Sequence, residues 1–290
     1  MKFTSFTIPN LENKKVIITG ANSGIGFEVA KRFAEKNAHV IFACRNKQKA
    51  DKAIKIITKQ FPNAKCEYIN LNLQSFASIK KFITAVNKKH PSIDILINNA
   101  GIIMHDPKDV SKDGFEPHIA TNCLGHFMLT TGLLNNLKKS KDARIVTVSS
   151  CIEKLNFFNL KSFPNTKGFF AYTQSKIANL LLTYELDRRL KAEGVKNVIA
   201  VASHPGLSRT NTSQLGIFKG LIQCTAMPAE KGAMSLIIAA TEPSLKGGEY
   251  LGYDNLLNIG GNVSINKSSN ITHNKKLAHD LWAKCEELIK

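Results

Sequence analysis

The sequence predicts an α/β fold in which one doubly wound parallel sheet carries helices on both faces. The first observation behind this prediction is that short, almost continuously apolar runs alternate with longer segments of helical periodicity. This alternation is the pattern of parallel strands buried between helices. The second is that no internal repeat, low-complexity segment or linker interrupts the 290 residues. A single domain spanning residues 1–290 is therefore expected.

Each predicted element follows from its own local pattern. The strand candidates are short runs rich in β-branched residues and bounded by glycine or polar residues, whereas the helix candidates repeat apolar residues every three or four positions. Strands are expected at residues 15–19, 39–44, 66–71, 93–98, 144–149 and 197–203, with a last one near 247–250. Helices are expected at residues 25–34, 47–60, 75–89, 116–137, 169–191 and 277–288.

Lysine accounts for most of the excess positive charge. The formal net charge is +18 and the isoelectric point is near 9.7, which raises nucleic acid as a partner. Arginine, the residue that favours bidentate recognition of phosphates and bases, is scarce, and many lysines alternate with apolar positions on predicted helices, as on a solvated face. We expect no specific nucleic-acid partner, although the positive field would attract an anionic cofactor.

The distribution of apolar runs and cysteines bears on location. No apolar run approaches the roughly 20 residues of a membrane-spanning helix, and residues 1–11 lack the uninterrupted apolar core of a signal peptide. The cysteines form no Cys-x-x-Cys pair, which favours reduced thiols over a disulfide framework or a zinc site. We expect a cytoplasmic protein with no transmembrane anchor and no metal. The cysteines are Cys44, Cys66, Cys123, Cys151, Cys224 and Cys285.

A glycine-rich turn links the strand at 15–19 to the first helix. It reads Thr19-Gly20-Ala21-Asn22-Ser23-Gly24-Ile25-Gly26. Such a turn presents unpaired backbone N–H groups and the positive end of the helix to an anion, which favours a cradle for a dinucleotide diphosphate. The spacing Gly20-x-x-x-Gly24-x-Gly26 differs from the general Gly-x-Gly-x-x-Gly fingerprint. A plain tight turn is the alternative.

Tyr172 and Lys176 stand four residues apart on the helix predicted at 169–191. Their side chains therefore leave the same helix face, one turn apart. A phenol titrates near about pH 10, and a neighbouring cation favours its anionic form, which suits proton transfer near neutral pH. An exposed polar pair without a function is the alternative.

Six motifs follow one another along nearly the whole chain. They are Thr19-Gly20-x-x-x-Gly24-x-Gly26, Asn98-Asn99-Ala100-Gly101, Asn122, Ser150, Tyr172-x-x-x-Lys176 and Pro205-Gly206. In this order and approximate spacing they resemble the short-chain dehydrogenase/reductase family, which implies a Rossmann-type fold. More narrowly, Ala43-Cys44-Arg45-Asn46, Asn122-Cys123-Leu124-Gly125-His126-Phe127 and His204-Pro205-Gly206 resemble the retinol dehydrogenase branch.

The resemblance implies an oxidoreductase and assigns roles to individual residues. Ser150 and Tyr172 are expected to hydrogen-bond the carbonyl oxygen of a substrate, with Tyr172 delivering the proton. Lys176 is expected to lower the pKa of Tyr172 and hold ribose hydroxyls, and Asn122 to support a water in a proton relay. The expected cofactor-binding residues are Gly20, Asn22, Ser23, Gly24, Ile25, Gly26, Arg45, Asn72, Leu73, Asn99, Ala100, Gly101, Tyr172, Lys176, Pro205, Gly206 and Thr210.

Each of these assignments has a structural alternative. Ser150 is at a strand end, where serine commonly forms a turn. Asn122 lies on a predicted helix and would then simply be exposed. Residues 98–101 would form a turn that stabilises the sheet.

Arg45 follows the second main strand, where dinucleotide folds place the group that contacts the adenosine ribose. An acidic residue there accepts from a free 2′-hydroxyl, whereas an arginine suits a 2′-phosphate. No acid stands at residues 44–46, so NADP(H) is expected to be preferred, with NAD(H) possible. The alternative is a surface arginine that caps the next helix. Asn72 replaces an aspartate usual in the family, which predicts a weaker adenine contact.

Two segments are expected to cover a substrate. Residues 151–170 are longer than usual for the family and rich in phenylalanine, and residues 207–228 are apolar and bounded by glycines and a proline. The first is interpreted as a wall of the substrate site and the second as a lid. Packing of the phenylalanines onto the domain and a fixed core helix are the respective alternatives. The expected partner is a lipophilic aldehyde, ketone or alcohol, and the expected assembly is a monomer or homodimer.

Three other classes of protein fit the sequence less well than an oxidoreductase does. A non-catalytic module that senses NADP(H) is disfavoured because a sensor has no need of the proton donor in the Ser150, Tyr172 and Lys176 set. A nucleic-acid binder rests on charge alone. A hydrolase lacks support because the sequence has neither a Gly-x-Ser-x-Gly elbow nor a Gly-x-x-x-x-Gly-Lys phosphate loop.

Overall fold

One sheet of nine strands runs through the computed structural model, which describes residues 1–103, 109–206, 227–255 and 261–290. The strands are short, with three to six residues in all but the first. They are β1 (Lys2–Phe3), β2 (Lys15–Thr19), β3 (His39–Cys44), β4 (Lys65–Asn70), β5 (Ile95–Asn98), β6 (Ala143–Val148), β7 (Val198–Ser203), β8 (Tyr250–Tyr253) and β9 (Val263–Ile265).

The spatial order of the strands is β1-β9-β8-β7-β6-β5-β2-β3-β4. All pairings from β8 to β4 are parallel. Strand β2 lies between β3 and β5, with Val16 opposite Val40 of β3 on one side and Ile95 of β5 on the other. The direction of winding reverses between β2 and β5, and open sheets of this kind bind ligands at the carboxyl ends of the strands beside such a reversal. The predicted doubly wound parallel sheet is confirmed.

Two edge strands depart from the predicted pattern. Strand β9 pairs antiparallel with β8, and β1 pairs antiparallel with β9. The sequence analysis missed both because runs of two and three residues are too short to show the alternation that marks a strand. They extend the sheet at the edge opposite β4.

Seven α-helices cover the sheet in the described residues. They are α1 (Gly24–Glu35), α2 (Lys47–Gln60), α3 (Phe76–Lys89), α4 (Gly125–Lys138), α5 (Gly168–Ala192), α6 (Ala229–Thr241) and α7 (Lys275–Leu288). A π-helical turn, Ile119–Leu124, precedes α4 without a break. The sequence analysis gave α6 no bounds, and it treated the π-helical turn and α4 as one helix.

The helices form two layers, each with its own apolar core. Helices α1, α2 and α6 pack on one face through residues such as Val29, Ile57 and Leu236. Helices α3, α4, α5 and α7 pack on the other face, where Phe82 and Leu181 are buried. Helix α5 is buried on nearly all sides along its middle, so polar residues such as Gln174, Lys176 and Asn179 are buried there together with apolar ones. No described helix is both long and apolar enough to cross a membrane.

Candidate active site

A cleft of about 820 Å³ opens at the carboxyl ends of the central strands, beside the amino terminus of α1. The volume is in the range of small-molecule sites. The cleft brings together Ser150 and every predicted cofactor-binding residue that the structure describes, while Thr210 lies outside the described residues. The predicted residues that line it are Gly20, Asn22, Ser23, Gly24, Ile25, Gly26, Arg45, Asn72, Leu73, Asn99, Ala100, Gly101, Ser150, Tyr172, Lys176, Pro205 and Gly206.

The glycine turn is shaped so that only glycine fits at its key positions. Gly20 has φ +68° and Gly24 has φ +55°, a left-handed conformation that side chains disfavour. A Cβ on Gly26 would lie 2.5 Å from Asn99 Nδ2 and 2.6 Å from the Gly20 carbonyl oxygen. The Ser23 side chain makes no capping hydrogen bond to the described residues, which leaves first-turn N–H groups for a ligand. These residues fit a diphosphate.

Thr19 and His126 tie the glycine turn to the loop after β5. The Thr19 hydroxyl accepts from the backbone N–H groups of Asn99 and Ala100, each at 2.9 Å, and lies 2.9 Å from His126 Nε2. His126 Nδ1 faces the Asn122 carbonyl oxygen at 3.3 Å. A neutral ring that donates from Nδ1 and accepts at Nε2 from the Thr19 hydroxyl fits these contacts, and the Ile97 carbonyl oxygen at 3.3 Å is the alternative acceptor for the same hydroxyl proton. The sequence analysis gave His126 no role, although its position four residues after Asn122 puts both on one helix face.

His126 predicts an acid sensitivity of the fold. Burial lowers its pKa from the ordinary 6.5 to about 3. Between these values the unfolded chain binds more protons than the folded one, so the free energy of unfolding falls as the pH falls. From pH 6 to pH 5 the expected contribution of His126 is about 1 kcal/mol. Urea unfolding of the wild type and His126→Gln at both pH values measures it, and equal falls in the two proteins would refute the assignment.

Tyr172 and Ser150 both line the cleft, and the Ser150 hydroxyl favours the anionic form of the phenol. Tyr172 is half-buried and Lys176 is 5% exposed, so the alternative of an exposed polar pair is wrong. The Lys176 ammonium lies 5.8 Å from the centre of the Tyr172 ring. Burial raises the pKa of Tyr172, and the Ser150 hydroxyl opposes this shift. The expected lowering by Lys176 is therefore not seen in the protein alone, because desolvation of the phenol outweighs a cation at this distance.

Lys176 keeps its charge in a buried position with few partners. Its ammonium donates to the Val148 carbonyl oxygen at 3.2 Å, and the space beside Gly101 lies next to it. Burial lowers the pKa of Lys176 from 10.5 to about 8. A buried ammonium that is still mostly protonated at neutral pH gains from hydroxyl or phosphate oxygens that enter the cleft.

Asn122 lies behind the cleft and is fully buried, so the alternative of an exposed helix residue is wrong. Its Oδ1 accepts from the Ile102 N–H at 3.0 Å, and its Nδ2 donates to the Ile102 carbonyl oxygen and to Ser175 Oγ. The amide thus fixes the segment after β5 against α5. These contacts engage the side chain in structure, and a role in a water relay stays a prediction.

His118 is a second residue that contacts Tyr172. Its ring packs against the Tyr172 ring with centroids 5.6 Å apart. Its Nδ1 lies 2.7 Å from Glu116 Oε1 and its Nε2 lies 2.9 Å from the Ile103 carbonyl oxygen. Sequence reasoning missed this residue, since nothing in its neighbourhood indicates that it reaches Tyr172, 54 positions along the chain.

The end of the cleft beside the start of α2 carries exposed positive charge. Arg45 and Lys49 both line it, and Arg45 makes no ion pair with the described residues. The Asn46 side chain, not Arg45, caps α2 by accepting from the Lys49 N–H at 2.9 Å, so the capping alternative for Arg45 is wrong. Asn72 accepts from the Gln74 N–H at 3.1 Å through Oδ1, which leaves one lone pair of that oxygen for a ligand.

The loop at 98–101 combines the two roles that the sequence left open. Asn98 points away from the cleft and donates to Thr130 Oγ1 at 2.8 Å, so it is structural. Asn99 donates through Nδ2 to the Thr19 carbonyl oxygen at 2.8 Å, while Ala100 and Gly101 line the cleft. After β7, His204 is buried and its Nδ1 accepts from the Gly206 N–H at 3.1 Å.

The phenylalanines of the segment at 151–170 divide into two groups. Phe158 and Phe163 are buried in the core beside α5. Phe157, Phe169 and Phe170, hereafter the phenylalanine cluster, are 49%, 59% and 60% exposed and contact one another through Phe170. The packing alternative therefore holds for Phe158 and Phe163, and the interpretation of the segment as a wall of the substrate site stays a prediction. The second covering segment falls largely on 207–226, outside the described residues.

The chain is similar in sequence to known dehydrogenases and in fold to a solved structure. The family model for short chain dehydrogenases matches residues 14–215. Human polyprenol dehydrogenase is 36% identical over 98% of this chain and 88% of that protein, and human retinol dehydrogenase 12 is 38% identical over 81% and 76%. A crystal structure of an uncharacterized protein from Mycobacterium paratuberculosis has a TM-score of 0.81 and 34% identity, and the match covers 100% of this chain and 98% of that one.

Proposed function

This chain belongs to the short-chain dehydrogenase family, and from that premise we propose an NADP(H)-dependent oxidoreductase for a lipophilic aldehyde, ketone or alcohol. The family and the dehydrogenase relatives make the chain an oxidoreductase that acts on CH–OH groups with a nicotinamide cofactor. The observation that carries the proposal is that Ser150, Tyr172 and the buried Lys176 line one cleft together with a glycine turn that fits a diphosphate.

In the proposed mechanism, the chain positions and protonates the substrate. When bound, a nicotinamide cofactor supplies or accepts the hydride. Ser150 and Tyr172 both donate hydrogen bonds to the carbonyl oxygen, and Tyr172 transfers its proton as negative charge develops on that oxygen. Because the pKa of Tyr172 is raised by burial, the phenol holds its proton until the substrate oxygen becomes the stronger base. The charge of Lys176 favours the phenolate left behind.

Two features support a preference for NADP(H). Arg45 and Lys49 lie side by side at the end of the cleft where the adenosine would bind, and no carboxylate occupies residues 44–46. A 2′-phosphate carries about two negative charges, and a free arginine fork binds it with charge-assisted hydrogen bonds.

Arg45→Ala is expected to weaken NADPH binding by about tenfold to a hundredfold, since a hydrogen bond to a charged group is worth about 1.5–3 kcal/mol. NADH affinity is expected to change less than about twofold, because NADH lacks the phosphate that Arg45 would hold. Titration of nucleotide fluorescence measures both dissociation constants. The matched control is Lys47→Ala, which removes an exposed charge that pairs with Asp51 outside the cleft. An unchanged NADPH constant in Arg45→Ala would remove this residue from the site.

A lipophilic substrate is supported by the surface beside Tyr172. The phenylalanine cluster includes Phe169 and Phe170, which precede Tyr172 on the first turn of α5, and its exposed apolar area is available to an apolar ligand. The names of two relatives, polyprenol dehydrogenase and retinol dehydrogenase 12, refer to alcohols with long apolar chains. We therefore propose that the substrate chain lies against the cluster while its carbonyl or hydroxyl group reaches Tyr172.

The experiment that tests the function is a turnover assay with NADPH and a series of aldehydes that differ only in the length of the apolar chain. Consumption of NADPH that rises with chain length would support both the reaction and the substrate class. NADPH consumption that does not depend on chain length would support the reaction but contradict the preference for lipophilic substrates. Tight NADPH binding without turnover on any carbonyl would favour the alternative of a non-catalytic sensor.

A further inference from the structure

Three side chains that ligate metals meet at the end of the sheet opposite the cleft. His39 begins β3, Glu67 lies in β4, and His90 directly follows α3. In the parallel register His39 stands opposite Lys65, so Glu67, two residues further along β4, points to the same face as His39. Helix α3 covers that face and brings His90 to both.

The three side chains converge on one point. His39 Nε2 lies 3.3 Å from Glu67 Oε1, and His90 Nε2 contacts the same oxygen. One ligand atom from each residue lies within 4.8 Å of the others. The ligands of a tetrahedral zinc ion, at about 2.0–2.2 Å from the metal, are about 3.4 Å apart. Side-chain adjustments of about 1 Å, in which His90 and Glu67 move apart to admit the ion, therefore place all three around one metal.

Neighbouring groups hold this arrangement in place. The His90 N–H donates to the Val86 carbonyl oxygen at 2.7 Å, and the His90 carbonyl oxygen accepts from Asn136 Nδ2 at 2.9 Å. Lys89 donates to Glu67 Oε2 at 2.7 Å, which turns Oε1 towards the imidazoles. Hydrogen bonds from neighbouring groups to the ligand residues orient the ligands in metal sites in this way. The His39 side chain is 29% exposed, so an ion can enter from solvent.

We propose that His39, Glu67 and His90 form a site for a divalent transition metal ion of the zinc type, with water completing the coordination. Two imidazoles and one carboxylate are a ligand set that zinc accepts. The site would join β3, the edge strand β4 and the carboxyl end of α3. Its role would be structural, because it lies at the end of the strands remote from the cleft.

The charges around the cluster set its strength. Lys15 and Lys65 place positive charge near His39. Their repulsion of a bound cation lowers the affinity of the site. We expect a dissociation constant on the order of micromolar, weaker than sites with four protein ligands.

The test is calorimetric titration of tag-free protein with ZnCl2, with the visible absorption of Co2+ as a second measure of coordination. One ion per chain is expected for the wild type. His39→Gln and Glu67→Gln are expected to bind at least about tenfold more weakly. His279→Gln is the matched control, since His279 is an exposed histidine beside Asp280 far along the chain, and its affinity is expected to equal that of the wild type.

Two further measurements make the outcome decisive. Thermal unfolding in EDTA shows whether each variant is folded, and NADPH affinity is expected to be the same in all of them. Cys66→Ala is expected to keep the zinc affinity, because Cys66 packs on the other face of the sheet. Absence of zinc binding by the wild type would overturn the proposal, and so would equal affinity in the wild type, His39→Gln and Glu67→Gln.

Discussion

Replacing Tyr172 with phenylalanine is expected to lower turnover by about a thousandfold while NADPH affinity changes less than about twofold. The phenol lines the cleft together with Ser150 and is the group that would protonate the carbonyl oxygen. Removal of one hydroxyl leaves the ring in place against His118, so the cleft keeps its shape. Turnover with NADPH and a long-chain aldehyde, measured alongside nucleotide binding, separates the two effects.

The matched control for this variant is Tyr184→Phe. Tyr184 lies on the same helix and its hydroxyl contacts Ser268 Oγ at 2.9 Å, away from the cleft. It is expected to lower the free energy of unfolding by about 1 kcal/mol and to leave turnover per folded molecule unchanged. Equal turnover in Tyr172→Phe and the wild type would remove Tyr172 from the mechanism, whatever the nucleotide affinity.

Gly26→Ala is expected to weaken binding of both nucleotides by about a hundredfold. The added methyl group would lie 2.6 Å from the Gly20 carbonyl oxygen and 2.5 Å from Asn99 Nδ2. Because backbone cannot yield as a side-chain tip does, the glycine turn must shift, and overpacking of this kind costs about 1–3 kcal/mol. If the nucleotide-bound conformation bears a cost near the upper end of this range, affinity falls by about a hundredfold. Fluorescence titration of NADPH and NADH measures it.

Gly194→Ala provides the comparison. Gly194 also has a positive φ, +73°, but an added Cβ there meets no atom within 4 Å. Gly194→Ala is expected to lower the free energy of unfolding by about 1 kcal/mol through its backbone conformation and to leave the cleft unchanged. If the two variants lost nucleotide affinity equally, the loss would reflect general destabilisation, and the glycine turn would no longer be supported as the diphosphate cradle.

The fold was predictable from the sequence because its signals are local and repeated. The strands β2, β3 and β4 and the helices between them were predicted to within one residue at each boundary, since apolar runs and helical periodicity are sequence patterns in themselves. The short edge strands β1 and β9 were not predictable in this way. Their pairing depends on where the chain returns in space, and two or three residues carry no period.

The candidate site was predictable in its members but not in its energetics. Tyr172 and Lys176 were predicted to lie one turn apart, and they do, but the effect of Lys176 on the phenol depends on burial, which only the packing of α5 determines. The same holds for Asn122, whose surroundings come from residues 102 and 175. The cluster of His39, Glu67 and His90 has no sequence signal, because its members come from three separate elements.

The measurement that tests the central claim most directly is a side-by-side titration of the purified protein with NADPH and NADH, followed by nucleotide fluorescence. The glycine turn, the buried ammonium of Lys176 and the exposed Arg45 together predict binding of both nucleotides, with NADPH clearly tighter. The titration needs no choice of substrate. Failure to bind either nucleotide would contradict the assignment of the cleft as a dinucleotide site, and with it the proposed function.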